Sequence, residues 1–392
     1  MIKSIKTISR RTKWSYILLY VIPLSLVFYA TLCQLYGITN SLFSLLLSTR
    51  AISIIIFSFL GFLMVDRRRS SSLSKKALIF ATYCFLITFL LSYNSDLIAV
   101  GATIFFWPIT LWIGEKSYHS KETFELSALI VSVICNLMSI TTIIGRTTIE
   151  VMESLEYSQA VGAINSIYLV LSTFPFIFLV PNRKLKIGFM ILPMLAFLVS
   201  GKTTCIAASM VSVCYFFYKS IKNSRHRFTI FFLAIVAIIT IIRFSNSLVD
   251  YETLLTGFND DIYSGGNGRL DIVHDVLDRY SRKDFLSQMF GSGYSAVANE
   301  TQLSAHNDFL EVLYDYGIIG LSLFAVFWIN LIKNRRKLSS DSNIRLVYDI
   351  SLIIYISSCL ASNFIVQQIN MLFFAMLWGT IDKYSVTADK SI

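Results

Sequence analysis

Residues 305–337 read AHNDFLEVLYDYGIIGLSLFAVFWINLIKNRRK, and the order of polarity along this stretch settles the kind of protein. Asp308, Glu311 and Asp315 open it, an apolar run from Ile318 to Ile332 follows, and Lys333, Arg335, Arg336 and Lys337 close it. On a helical wheel the three carboxylates fall within about 60° of one another, one stripe at the mouth of an apolar span. A helix built this way crosses a bilayer with its basic end on the cytoplasmic side, where membrane proteins retain Lys and Arg. Three carboxylates facing lipid would be prohibitively costly, so their face must line water or a protein cavity.

The same pattern recurs along the chain. Of 392 residues 55% are hydrophobic and 15% charged, and the mean hydropathy is +0.64, where a soluble domain carries about 25% charged residues. Apolar runs predict helices at 14–34, 48–65, 77–94, 97–114, 124–145, 159–180, 187–200, 203–219, 228–243, 308–332, 346–365 and 367–382. The expectation is an all-α polytopic membrane protein of about twelve transmembrane helices, one integral membrane domain over 1–392. Its basic start (Lys3, Lys6, Arg10, Arg11, Lys13) runs into an apolar stretch with no small-residue cleavage site, which reads as a retained first helix.

With both termini cytoplasmic, 26 Lys and Arg fall on the inner side and 8 on the outer, the bias that sets orientation. The net charge of +10 therefore reflects membrane orientation, and nucleic acid is not an expected partner. Cys33, Cys84, Cys135, Cys205, Cys214 and Cys359 all lie in apolar runs without metal-site spacing, so neither a disulfide framework nor a metal site is expected. One outward connection is far longer than the rest. It covers about 244–307, is acidic on balance, and carries apolar periodic segments that predict short helices rather than a slack loop.

Within that loop Ser264-Gly265-Gly266-Asn267-Gly268-Arg269 leads into a helical pattern from Leu270 to Tyr280. It is read as an amphipathic helix on the membrane face, with Asn267 near its N-cap and Arg269 in its first turn. A guanidinium beside free helix N–H groups suits phosphate oxygens, although a surface arginine in a glycine turn has the same spacing. Gly291-Ser292-Gly293-Tyr294 predicts a turn. Ser200-Gly201-Lys202-Thr203-Thr204 mimics the end of a phosphate-binding loop, but Ala196 stands where that motif needs its first glycine, inside an apolar span, and an ATP site is rejected. Lys202 then remains as a cation at an outward hairpin. His119, His226 and His274 read as solvated. His306, at the mouth of the 308–332 span, is either a proton-transfer group or a helix cap.

The Gly268-Arg269 turn, the Gly291-Ser292-Gly293 turn and the 305–321 segment, with His306 and Gly317 separated by ten residues, resemble the O-antigen ligase and polymerase superfamily. The resemblance maps the family's first arginine onto Lys202, a departure that keeps the charge and loses the bidentate fork. The second arginine maps to Arg269 and the histidine to His306. It implies an enzyme of the bacterial inner membrane, acting at the periplasmic face without metal or cofactor on glycans carried by undecaprenyl diphosphate. Lys202 and Arg269 would hold the diphosphate, while His306, Asp308 or Glu311 would orient or deprotonate the acceptor hydroxyl.

The first reading is an O-antigen polymerase, which uses the lipid-linked glycan as donor and as acceptor, with a chain-length regulator as a further partner beside the bilayer. The second is the ligase that moves the polymer to lipid A-core. The third, from another class, is a lipid-linked-sugar flippase or transporter, whose ionisable groups would sit at the bilayer midplane.

Overall fold

A computed structural model describes residues 71–91, 97–151, 167–200, 202–220, 269–301, 304–339, 342–361 and 368–388. Among these the regular elements are all helices: α1 Ser72–Leu91, α2 Leu97–Ser117, α3 Lys121–Val151, α4 Ile167–Ile177, α5 Arg183–Ser200 and α6 Thr203–Ser220, then α7 Arg269–Ser281, α8 Phe285–Phe290, α9 Ala296–Thr301, α10 Asp308–Lys337, α11 Asn343–Ala361 and α12 Gln368–Ala388. Nine of the twelve expected spans coincide with α1–α6 and α10–α12. The expected helices at 14–34, 48–65 and 228–243, and the start of the long loop with Asn267, lie outside the described residues. Among the described residues four helical stretches are long and apolar enough to cross a membrane, namely Ser72–Leu91, Lys121–Ile144, Asp308–Lys337 and Asn343–Leu360.

The apolar surplus is divided between two environments. Helix α4 is buried at every position, as expected of a helix hydrophobic all round, and it packs against α3, α5, α11 and α12. Elsewhere α3 and α10 each keep one face exposed at helical spacing: Val133, Leu137, Ile140 and Ile144 on α3, and Val326, Ile329 and Ile332 on α10. These are the faces a polytopic protein turns to lipid. Helices α2 and α12 approach closely, because a side chain at Gly114 would meet the carbonyl of Met376 and one at Gly379 that of Leu111. Thr380 donates to the Gly114 carbonyl across the same contact (3.0 Å).

Helix α10 is the axis of the arrangement that follows. It packs on α1 along one side and α11 along the other, through an aromatic layer in which Trp328 stacks on Tyr355 at 4.9 Å and Phe80 meets Phe324 at 5.4 Å. It is broken at Gly317 (φ 67°, ψ −172°), a break that Gly-Ile-Ile-Gly in an apolar run does not announce.

The loop between α7 and α10 is ordered by a small core of its own, with Val276, Ala296, Val297, Ala305 and Tyr314 buried together and Ile272, Tyr280 and Leu310 packed on them. The expectation that α7 lies with its apolar face on the membrane is therefore corrected. That face is covered by α9 and α10, and Leu277 on its flank stays exposed. Periodicity showed that an apolar face exists and left open what covers it.

Candidate functional site at the start of α10

The start of α10 is fixed by side chains that sequence placed there for other reasons. Asn307 is the N-cap, its Oδ1 accepting from the N–H groups of Phe309 (3.0 Å) and Leu310 (3.2 Å), which satisfies two donors that a helix start leaves open. Glu311, one turn on, reaches back to accept from the Ala305 N–H at 2.9 Å, the reciprocal half of a capping box displaced by two residues. His306 sits between these two anchors, half-buried, with φ 49°. A non-glycine residue in the left-handed region costs energy and persists where its surroundings over-determine it. Here the Glu311 clamp on one neighbour and the Asn307 cap on the other do so. The cap is thus Asn307, and the reading of His306 as the capping residue is set aside.

The carboxylate stripe is buried, and it divides. Asp308 lies beside Cys359 and Tyr355 of α11. Glu311 and Asp315 instead line a cavity of about 30 Å³ with Thr103, Trp107, Tyr294 and Tyr316, room for a water molecule among polar partners. The requirement that this stripe line water or a cavity holds for those two. Burial pushes the Tyr294 hydroxyl above its usual range.

Asp315 does more than line a wall. Its carboxylate accepts from the N–H groups of Ser295 (2.8 Å) and Val297 (3.1 Å), while its backbone carbonyl accepts from Ser292 (3.0 Å) and Gly293 (2.8 Å). One residue thus dictates the path of 292–297, in which Gly293 has φ of 92° and Ser295 59°, directly after Gly291 at 85°. The predicted turn at Gly291-Ser292-Gly293 is present and held by α10. The two chains touch backbone to backbone: a side-chain carbon at Gly291 would overlap the Asp315 carbonyl, and one at Gly317 the carbonyl of Met289. Tyr83 of α1 donates to the Tyr316 carbonyl (3.1 Å), which the helix break leaves open, and to that of Phe290 (3.4 Å).

Sequence reasoning passed over Lys283. Its side chain is 12% exposed, with the ammonium 3.4 Å from the Tyr314 ring centroid, donating to Ser292 Oγ at 2.6 Å and to Glu300 at 3.4 Å. Desolvation lowers its pKa, opposed by Glu300. Arg279 pairs with Asp275 (2.9 Å) and Arg282 with Asp278 (2.6 Å) on the exposed side of α7. Lys283 and Arg279, whose Nη1 donates to the Glu300 carbonyl at 3.2 Å, thus tie the end of α7 to α9, while the Arg282 pair stays local.

The remaining expected site residues are placed as follows. Arg269 is the first residue of α7, at the end of that helix away from the Tyr280 contact. Lys202 directly precedes α6, half-buried, its N–H bonded to Ser200 Oγ at 3.3 Å. Helix α6 packs on α4, α5 and α11, whereas α7 packs on α9 and α10. His306, Asp308 and Glu311 are therefore neighbours at one helix start, and the two expected diphosphate cations stand on separate elements. His119 and His274 are exposed, as expected.

Residues 188–325 match the family model described as O-antigen ligase. That match supports the O-antigen ligase and polymerase superfamily that the loop motifs resemble, over just over a third of the chain. No curated protein matches the sequence.

Proposed function

We propose that this membrane protein is an O-antigen polymerase, a glycosyltransferase that moves a growing glycan from undecaprenyl diphosphate to the non-reducing end of a lipid-linked repeat unit at the periplasmic face of the inner membrane. The observation that carries the reading is the extent of the family match: residues 188–325 contain Lys202, Arg269, His306, Asp308 and Glu311 together.

In the reaction a hydroxyl oxygen of the acceptor attacks the anomeric carbon of the donor sugar. The bond from that carbon to the diphosphate oxygen breaks, and undecaprenyl diphosphate leaves with the electron pair. The donor is already activated, so the protein has to position the acceptor, remove its proton and stabilise the departing charge. Lys202 and Arg269 take the diphosphate, and His306 takes the acceptor proton. Glu311 acts through His306, because its carboxylate holds Ala305 and thereby the strained backbone that aims the ring.

The test is deletion of the gene followed by electrophoresis of lipopolysaccharide. Core carrying a single repeat unit is the expected result. Core without any O-antigen would make the protein the ligase instead. Elongation of lipid-linked repeats by purified protein in detergent, without a gradient, separates both from a transporter.

A further inference from the structure

We infer that α8 is a re-entrant interfacial helix whose Phe285, Leu286 and Phe290 side chains sit among the acyl chains of the bilayer. Phe285 is 73% and Leu286 65% exposed, and Phe290 is exposed beside them. On a helix these positions and Met289 share one side, while Ser287 and Gln288 fall on the other. The polar side faces α7: Gln288 donates to the carbonyls of Ser281 (3.1 Å) and Lys283 (3.0 Å), and Tyr280 donates to the Gln288 carbonyl (2.6 Å). Three large apolar side chains are thus directed away from a helix whose polar side is fully occupied.

Depth comes from α1. Phe290 meets the Tyr83 hydroxyl, and Tyr83 lies eight residues before the Leu91 end of a helix long enough to cross the membrane, roughly 12 Å along its axis. Between that level and the end, Leu86, Phe89, Leu90 and Leu91 are exposed to the surroundings, as is Ile318 just past the break in α10. The exposed residues of α8 therefore continue a surface already turned to lipid on both neighbouring helices.

Non-helical backbone survives at that depth when its polar groups are satisfied by protein, and here they are supplied one by one. Asp284 caps α8 through the Ser287 N–H (3.0 Å), the Gly291 N–H returns to the Ser287 carbonyl (2.8 Å), and the next two N–H groups go to the Asp315 carbonyl. A loop segment resting in water has no need of such pairing.

Spin labels at Phe285→Cys and Leu286→Cys, in full-length protein in lipid nanodiscs with the six native cysteines replaced and transfer activity retained, read the environment directly. Collision with oxygen is compared with collision with a water-soluble nickel chelate, using Leu90→Cys as the lipid reference and Asn299→Cys as the aqueous one. Both α8 sites should match Leu90→Cys, with oxygen collisions exceeding nickel collisions. Nickel-dominated behaviour like that of Asn299→Cys would place α8 in water and overturn the inference. Exclusion of both reagents would overturn it as well, because the face would then be covered by protein.

Discussion

Helix α10 carries buried carboxylates against both of its ends, and they are used in opposite ways. At the Arg335 end they join helices chiefly through side chains, with Glu115 also accepting from the Ser71 N–H ahead of α1 (2.9 Å). Asp349 of α11 pairs with Arg335 and accepts from the Tyr215 hydroxyl of α6 at 2.5 Å, Asp382 of α12 accepts from Asn334 at 2.7 Å, and Glu115 of α2 accepts from Ser74 of α1 at 2.6 Å. At the Asp308 end, Glu311 and Asp315 bond to backbone N–H groups of Ala305, Ser295 and Val297. One end ties rigid elements together, and the other prescribes the course of a loop. Shape at the Asp308 end is thus held by a few acceptors on a single helix, which is where a strained residue such as His306 can be maintained.

The comparison breaks most completely at Gly317. Gly317→Ala adds a carbon against the Met289 carbonyl at a positive φ, a strain of about 1–3 kcal/mol before the overlap is counted. Loss of monodisperse protein in detergent chromatography, together with loss of polymer, is the expected outcome.

Next is His306. Asparagine tolerates the left-handed region, so His306→Asn keeps the backbone while removing the group that titrates near neutral pH. A fall in transfer rate on the order of 10² to 10⁴ at equal expression is expected. Near-normal polymer would move the proton-transfer role to Asp308 or Glu311.

A paired measurement then sharpens the contrast between the ends. Asp315→Asn puts an amide where two backbone donors converge, at a cost of about 1–3 kcal/mol to the loop, and should lower transfer per folded molecule. Asp349→Asn weakens a partly exposed pair with Arg335 and should lower melting temperature with little change in transfer per folded molecule. Equal effects of the two variants on transfer would show that the ends are not functionally distinct.

The smallest effect is expected at Lys202. Lys202→Arg restores a fork suited to phosphate oxygens and should leave polymer nearly unchanged, whereas Arg269→Lys removes one and should shorten it. The reverse order in gel length distributions would undo the mapping of these two positions.

The helices were legible because lipid imposes long apolar runs, and α7 because an amphipathic face of period 3.6 is unmistakable. Asp308, Glu311 and His306 stood out because ionisable groups at a span are costly. What sequence left hidden depends on residues far apart. The break in α10 is made by Met289 and Gly291, α8 is too short to show a period, and Lys283 reads as a loop cation until Tyr314 and Glu300 close around it. Asp315 was visible as part of a stripe. Its hold on 292–297 was not, because a backbone N–H has no letter in the sequence.

The meeting of Gly291 with Gly317 is a contact between two main chains, and it asks only that both positions lack a side chain. Such a joint is indifferent to the chemistry of its neighbours. The seat on α10 therefore does not depend on the outward side chains of α8, and Phe285 and Leu286 could change identity while the contact of Gly291 with Gly317 stayed as it is.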